Sequence, residues 1–176
     1  MSLVLDDSNG MTAPSGAVYN GLQYGAVQNT TSGSSVTFTN IPSWVKRITV
    51  VANTISSNGT SHLQVRLGSG GTLLNSGYVG YSDIAYTSTA IMRDTDGFPM
   101  YYDTASFQIS GNMVFTNPTG NLWICSGVGS CSGGSPTFGW YSSGYVTLGG
   151  QLNIIGVVTQ NGTDTFDNGS VNIIYE

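Results

Sequence analysis

The densest run of ionisable side chains is Arg93-Asp94-Thr95-Asp96-Gly97, with Asp103 close behind. An Asp-x-Asp-Gly run can open a calcium loop, because Ca²⁺ takes carboxylate and carbonyl oxygens, but the third acidic position and the closing Glu are missing here. The run reads instead as a solvated turn in which Arg93 screens two carboxylates. Asp164 and Asp167 stand three apart in a Gly/Asn-rich stretch. Glycoside hydrolysis needs two carboxylates across a sugar cleft, one with a raised pKa, and nothing local would desolvate either residue. Turn capping is their expected role. His62, the single histidine, falls at an outward strand position with no acidic neighbour in sequence. No G-x-S-x-G run and no P-loop occur. The expectation is a protein with no catalytic residue, no metal site and no cofactor.

Aromatic side chains are the remaining chemical resource. Tyr78, Tyr81, Tyr86, Phe98, Tyr101, Tyr102, Trp140, Tyr141 and Tyr145 crowd the middle and late parts of the chain. Sugar C–H faces stack on such rings while Asn, Asp and Ser bind the hydroxyls, and Tyr gives contact area at low entropic cost. Tyr78, Tyr81, Asp96, Phe98, Tyr101, Tyr102, Trp140 and Tyr141 are therefore candidate ligand contacts, presented by exposed loops over 78–103 and 125–145. The competing role for each ring is to fill a core or a subunit interface. Cys125 and Cys131 flank Ser-Gly-Val-Gly-Ser. A disulfide could pin that loop; two reduced thiols are the alternative in a protein made in a cytosol. Two cysteines alone cannot complete a zinc site.

The elements that would position these groups follow from composition. Gly, Ser, Thr and Asn account for 82 of the 176 residues, and only 13 residues are charged. Surface helices need Lys, Glu, Arg and Ala, so short strands joined by Gly/Asn/Ser turns are favoured. The four basic residues are Lys46, Arg47, Arg66 and Arg93. Phosphate backbones need several cations on one face, which argues against nucleic acid. No run of about 18 apolar residues is present, which argues against membrane insertion by a helix. The start Met1-Ser-Leu-Val-Leu-Asp-Asp lacks the basic, long apolar character of a secretory signal, so synthesis in a cytosol is expected. The N-x-[ST] triplets at Asn29, Asn58, Asn161 and Asn168 then read as turns.

Residues 1–34 are poor in large apolar side chains and read as an extended attachment arm, with Leu3, Val4 and Leu5 as its apolar run. From Ser35 alternation becomes regular. Val45 to Thr54 is the clearest strand, with Ile48, Val50 and Ala52 on one side. His62 to Leu67 places Leu63, Val65 and Leu67 inward. Leu122 to Cys125 reads as a short strand and 126–139 as a Gly/Ser loop. Tyr141 to Leu148 and Leu152 to Thr159 form a hairpin, and Val171 to Tyr175 closes the chain. About nine or ten strands at regular spacing make an all-β, antiparallel β-sandwich of jelly-roll type over 35–176. Adjacent apolar pairs, Ile154-Ile155, Val157-Val158 and Ile173-Ile174, argue that outer faces are covered too, by a second subunit or by the chain's own arm or loop.

Ile41-Pro42-Ser43-Trp44-Val45-Lys46-Arg47-Ile48-Thr49-Val50 resembles a block of tail-fibre and other virion-surface proteins of tailed bacteriophages. So do Ser57-Asn58-Gly59-Thr60, Leu67-Gly68-Ser69-Gly70, Asn161-Gly162-Thr163-Asp164-Thr165-Phe166-Asp167 and the closing Gly169-Ser170-Val171-Asn172-Ile173-Ile174-Tyr175-Glu176. The resemblance frames 35–176 and leaves roughly 80–140 unmatched. It implies a non-enzymatic sandwich displayed on a phage particle made in the host cytoplasm, often a homotrimer. Its arm would hold other virion proteins and its loops would touch a host surface glycan or protein. A capsid decoration, cement or head-fibre protein and a stand-alone carbohydrate-binding module are the alternative readings. Pro42 would set the start of the strand, Trp44 would plug one end of the sandwich, and Asn58-Gly59 would make a tight turn.

Overall fold

A computed structural model describes residues 4–6, 10–12, 18–19, 21–85, 91–100, 102–134 and 137–176, with side chains from residue 21 onward. Every regular element among them is a β-strand. Three short strands, β1 (Val4–Asp6), β2 (Gly10–Thr12) and β3 (Val18–Tyr19), form a small antiparallel sheet. Next come β4 (Gln23–Tyr24), β5 (Gln28–Asn29), β6 (Ser35–Thr39), β7 (Arg47–Ser57), β8 (Leu63–Ser69) and β9 (Thr72–Leu73). They are followed by β10 (Val79–Ala85), β11 (Met92–Asp94), β12 (Phe98–Met100) and β13 (Gln108–Thr119). The last four are β14 (Leu122–Ser132), β15 (Phe138–Thr147), β16 (Leu152–Thr159) and β17 (Phe166–Tyr175).

Two antiparallel sheets pack into the expected β-sandwich. The larger runs β11-β10-β15-β14-β13-β7-β17-β4, with β5 also on β17; the smaller runs β12-β8-β16-β6, with β9 on β8. One continuous core lies between them. β7 contributes Ile48, Val50 and Ala52 by strict alternation, and β16 contributes Leu152, Ile155 and Val157 from the facing sheet. Rings tie the layers together: Tyr78 meets Phe98 edge-on at 5.0 Å, and Phe98 meets Phe115 at 5.3 Å between centroids.

The two blocks that carry the resemblance are neighbours. β7 and β17 pair with Ile48 opposite Tyr175, and the Lys46 and Arg47 amides donate to the Glu176 carbonyl. Trp44 does not plug the sandwich end. It is partly exposed and lies 6.0 Å from the Tyr175 ring.

The stretch expected to be a Gly/Ser loop at 126–139 is mostly strand: β14 runs on to Ser132 and β15 begins at Phe138. The reason is close packing around these glycines. A Cβ at Gly129 would collide with the Ser110 carbonyl oxygen and stand 2.5 Å from Trp140 Cζ2, one at Gly111 would collide with the Val128 carbonyl oxygen and stand 3.0 Å from Trp140 Cζ2, and one at Gly127 would stand 2.9 Å from Met113 Cγ. The glycines are room for the neighbouring backbone, Met113 and the Trp140 ring, not a hinge.

The same strand overturns the disulfide. Cys125 and Cys131 both face the core as free thiols. Six residues of extended chain separate them by about 20 Å. Burial raises both thiol pKa values, that of Cys131 to about 12.

Part of the outer apolar surface of β16 is covered by the chain itself. Ile154 is buried on the side away from the core, and Leu73 on β9 reaches over Gly156. The doubled apolar pairs therefore need no second subunit at this strand. Residues 21–34, expected to belong to the extended attachment arm, lie against the chain's own sandwich. β4 and β5 line the outer edge of β17, the Gly25 amide donates to the Ile173 carbonyl, and Thr30 is fully buried.

Candidate functional site

Part of the outer face of the larger sheet, over β10, β14 and β15, is apolar. Alternation puts Ile124 and Val128 of β14, Tyr141 and Tyr145 of β15 and Tyr81 of β10 on the solvent side, and Ile91 lies beside them just before β11. These six are between 42% and 66% exposed, far above the core rings. Register arranges them in rows. Ile124 faces Tyr145, which faces Val79; Val128 faces Tyr141, which faces Asp83. Between those rows run Ser126, Ser143, Tyr81 and Arg93, each opposite the next. Two rows, each with a tyrosine at its middle, thus flank a central row of hydroxyls that ends in a guanidinium.

Two hollows form between the side chains. One, of about 590 Å³, lies among Val79, Tyr81, Ile124, Ser143 and Tyr145. The other, of about 210 Å³, is walled by Tyr81, Tyr141, Ile91, Asp83 and Arg93. The polar groups of the smaller hollow are held in place. The Tyr141 hydroxyl donates to Asp83 Oδ2 at 2.9 Å, the Ile84 amide donates to Asp83 Oδ1 at 2.7 Å, and Arg93 lies 5.8 Å from the centre of the Tyr81 ring. The Asp83 carboxylate beside it raises the Tyr141 pKa, chiefly through that hydrogen bond.

Of the residues singled out from sequence, the structure brings Tyr81 and Tyr141 into this face. Tyr78, Phe98, Tyr102 and Trp140 are corrected to core positions, each 2% exposed or less. Their polar atoms confirm the assignment for the tyrosines. The Tyr102 hydroxyl accepts from the Ser57 amide at 3.0 Å and donates to the Ser57 carbonyl at 2.8 Å; Tyr78 does the same with Leu67. Tyr101, Tyr86 and Leu3 lie outside the described residues, as do the side chains of Val4 and Leu5, whose backbone belongs to β1. The exposed loops expected over 78–103 and 125–145 are largely strand, so the surface on offer is a sheet face. Asp83, Ile91, Arg93, Ile124, Val128 and Tyr145 escaped the list of candidates. The spacing Tyr141-Ser143-Tyr145 was the available signal, because period-two residues share a face.

Asp96 belongs to a separate polar cluster at the edge of the sandwich. His62 Nδ1 lies 3.2 Å from both Asp94 carboxylate oxygens. Gln64 Nε2 donates to Asp94 and to Asp96, Arg66 donates to Gln64 Oε1 and, at 2.7 Å, to Asp96, and Gln160 donates to Asp96 at 3.1 Å. Arg93 does not screen these carboxylates as expected; Arg66 does. His62 is half-buried against an acid from thirty residues away rather than an isolated surface residue. The Asp94 hydrogen bond raises its pKa, desolvation opposes this, and Asp94, Asp96 and Asp103 add attraction. The cluster ties β8 of one sheet to β11 of the other, and its polar groups satisfy one another. Asp164, in the turn before β17, accepts from the Ser61 amide at 2.9 Å, whereas Asp167, expected to cap a turn, lies within β17 and accepts from the Ser56 hydroxyl. Among the described residues no three His, Cys, Asp or Glu side chains converge to hold a metal ion. Comparison of the chain with family models, with curated proteins and with solved structures finds no match.

Proposed function

We propose that this chain is a non-enzymatic virion-surface protein of a tailed bacteriophage that touches its host through a sheet face. One observation carries the host-contact reading: Tyr81, Tyr141 and Tyr145 stand exposed on the paired strands β10 and β15, interleaved with serines, Asp83 and Arg93. Rings on a rigid sheet lose little entropy when they meet a ligand, and repetition of a weak site over a particle multiplies its avidity. The resemblance of the β7 and β17 blocks to phage virion proteins supplies the setting. In this reading the copies assemble as homotrimers, and the arm holds neighbouring virion subunits.

The test uses the labelled full chain on host cells and an antibody on purified particles. Surface decoration of the particle, cell labelling, and competition with adsorption are the expected results. A chain missing from the particle overturns the virion reading. Particle decoration without labelling or competition overturns the host-contact role.

A capsid-decoration role is favoured by a different feature. Leu22, Tyr24 and Val27 are exposed along the β4–β5 edge, an apolar strip suited to a neighbouring capsid subunit. A particle reconstruction separates the two readings by placing the chain on the head lattice or the tail.

A further inference from the structure

We infer that the hollow between Tyr81 and Tyr141 seats one carboxylated sugar residue of a host glycan, its acid group on Arg93. This rests on the host-contact reading of the same face and gives that reading a ligand class.

The argument begins with charge. The protein carries a net charge of −5, and cations on such a chain usually sit beside carboxylates. Arg47 pairs with Glu176 and Arg66 with Asp96. Lys46 donates to Asn117. Arg93 alone among these four has no carboxylate or amide oxygen partner among the described residues; it is exposed, over the Tyr81 ring. A guanidinium in that position is an open donor fork matched to a carboxylate.

The opposite end of the hollow has the opposite character. Asp83 is fixed by the Tyr141 hydroxyl and the Ile84 amide and keeps acceptor capacity for further donors, which sugar hydroxyls supply. Asp83 and Tyr81 lie two apart on one face of β10, about 7 Å, and Arg93 stands opposite Tyr81 on β11, so the acceptor and donor ends are separated by one step along the sheet and one across it. That polarity orients a ring: hydroxyls toward Asp83, carboxylate toward Arg93. A carboxylate at the Asp83 end would be repelled.

The walls fit the same ligand. Tyr81, Tyr141 and Ile91 present apolar surface to C–H groups around a volume of about 210 Å³. The larger hollow beside Tyr145 and Ile124 continues from it through Ser143 and Tyr81. A sugar chain that leaves the first site therefore meets a second, uncharged one.

Calorimetric titration of the full chain with oligogalacturonate, sialyllactose and neutral maltohexaose tests the inference. Expected is binding of at least one acidic probe over maltohexaose. Arg93→Gln should weaken it about fivefold and remove most of its salt dependence. Tyr24→Ala, on the far edge, should leave it unchanged. Equal affinity for maltohexaose, or an Arg93→Gln variant that folds and binds the acidic probe as before, overturns the inference. So does a chain that labels host cells yet binds none of the three probes, an outcome that leaves the host-contact reading intact. A chain that binds neither cells nor sugars overturns both.

Discussion

His62, just before β8 of the smaller sheet, reaches across to Asp94 of the larger one, its Nδ1 3.2 Å from both carboxylate oxygens. The contact ties the two layers at the edge where the chain crosses from β11 to β12. Asp94 is almost fully buried there and depends on Gln64 as well as His62 for its partners. Stability should therefore respond to the charge on one imidazole. The folded-state pKa of His62 lies above its ordinary value of 6.5. The contribution is then fully present below about pH 6.5 and is lost as pH rises through the raised folded value. Thermal melts from pH 6 to pH 9 should show this loss, and His62→Gln should flatten it. A wild-type profile identical to that of His62→Gln would contradict the assignment.

Gly129→Ala should destabilise the fold by about 1–3 kcal/mol, because its methyl group meets the Ser110 carbonyl oxygen and the Trp140 ring and the packed layer must shift. Ser130→Ala, one residue on and facing solvent, should change stability little. Urea unfolding of both variants makes the comparison.

Tyr102→Phe should cost about 1–3 kcal/mol, since the Ser57 amide and carbonyl lose a buried partner. Host-cell labelling at saturating protein should not change. A loss of labelling without a loss of stability would return Tyr102 to the ligand-contacting group.

Tyr141→Ala should do the reverse. Its ring is half exposed and among the described residues its hydroxyl meets only Asp83, so the melting temperature should hold while labelling weakens about tenfold. Flow cytometry against a dilution series of labelled protein reads both numbers.

Cys125 and Cys131 should resist a thiol reagent at pH 8 in the native protein and both react once it is unfolded in guanidinium. Mild oxidation should give no intramolecular bridge. A non-reducing mass spectrum two hydrogens lighter would refute the strand geometry that separates them.

How much of this was legible depended on whether a residue's neighbours in space were also its neighbours in pattern. β7 could be read because apolar alternation alone defines it; β16 could be read as an apolar strand, but the hairpin expected with β15 does not form, since β16 lies in the other sheet between β8 and β6. β14 could be read only as far as Cys125, because beyond it the inward positions are two glycines and a cysteine, and the glycines make sense only against neighbours from β13 and β15. Parity along the chain placed His62, Gln64 and Arg66 together correctly. It said nothing of the turn at 94–97 that covers them, so a buried polar cluster read as a wet surface. The aromatic residues show the same division. Tyr141 and Tyr145 are two steps of a common period, whereas nothing local distinguishes Tyr81, which faces water, from Tyr78, which is bound to the Leu67 backbone. The site itself depends on register between β10, β11, β14 and β15, a long-range property.

β17 is held on one side by β7 and on the other only by the two-residue strands β4 and β5. Those short pieces act as a selvedge. Trimming the chain back beyond residue 29 would strip them away and leave a ten-residue rim of unpaired amides and carbonyls. Such a rim is a template for its own kind, so the shortened protein should polymerise into fibrils where the longer one stays dispersed.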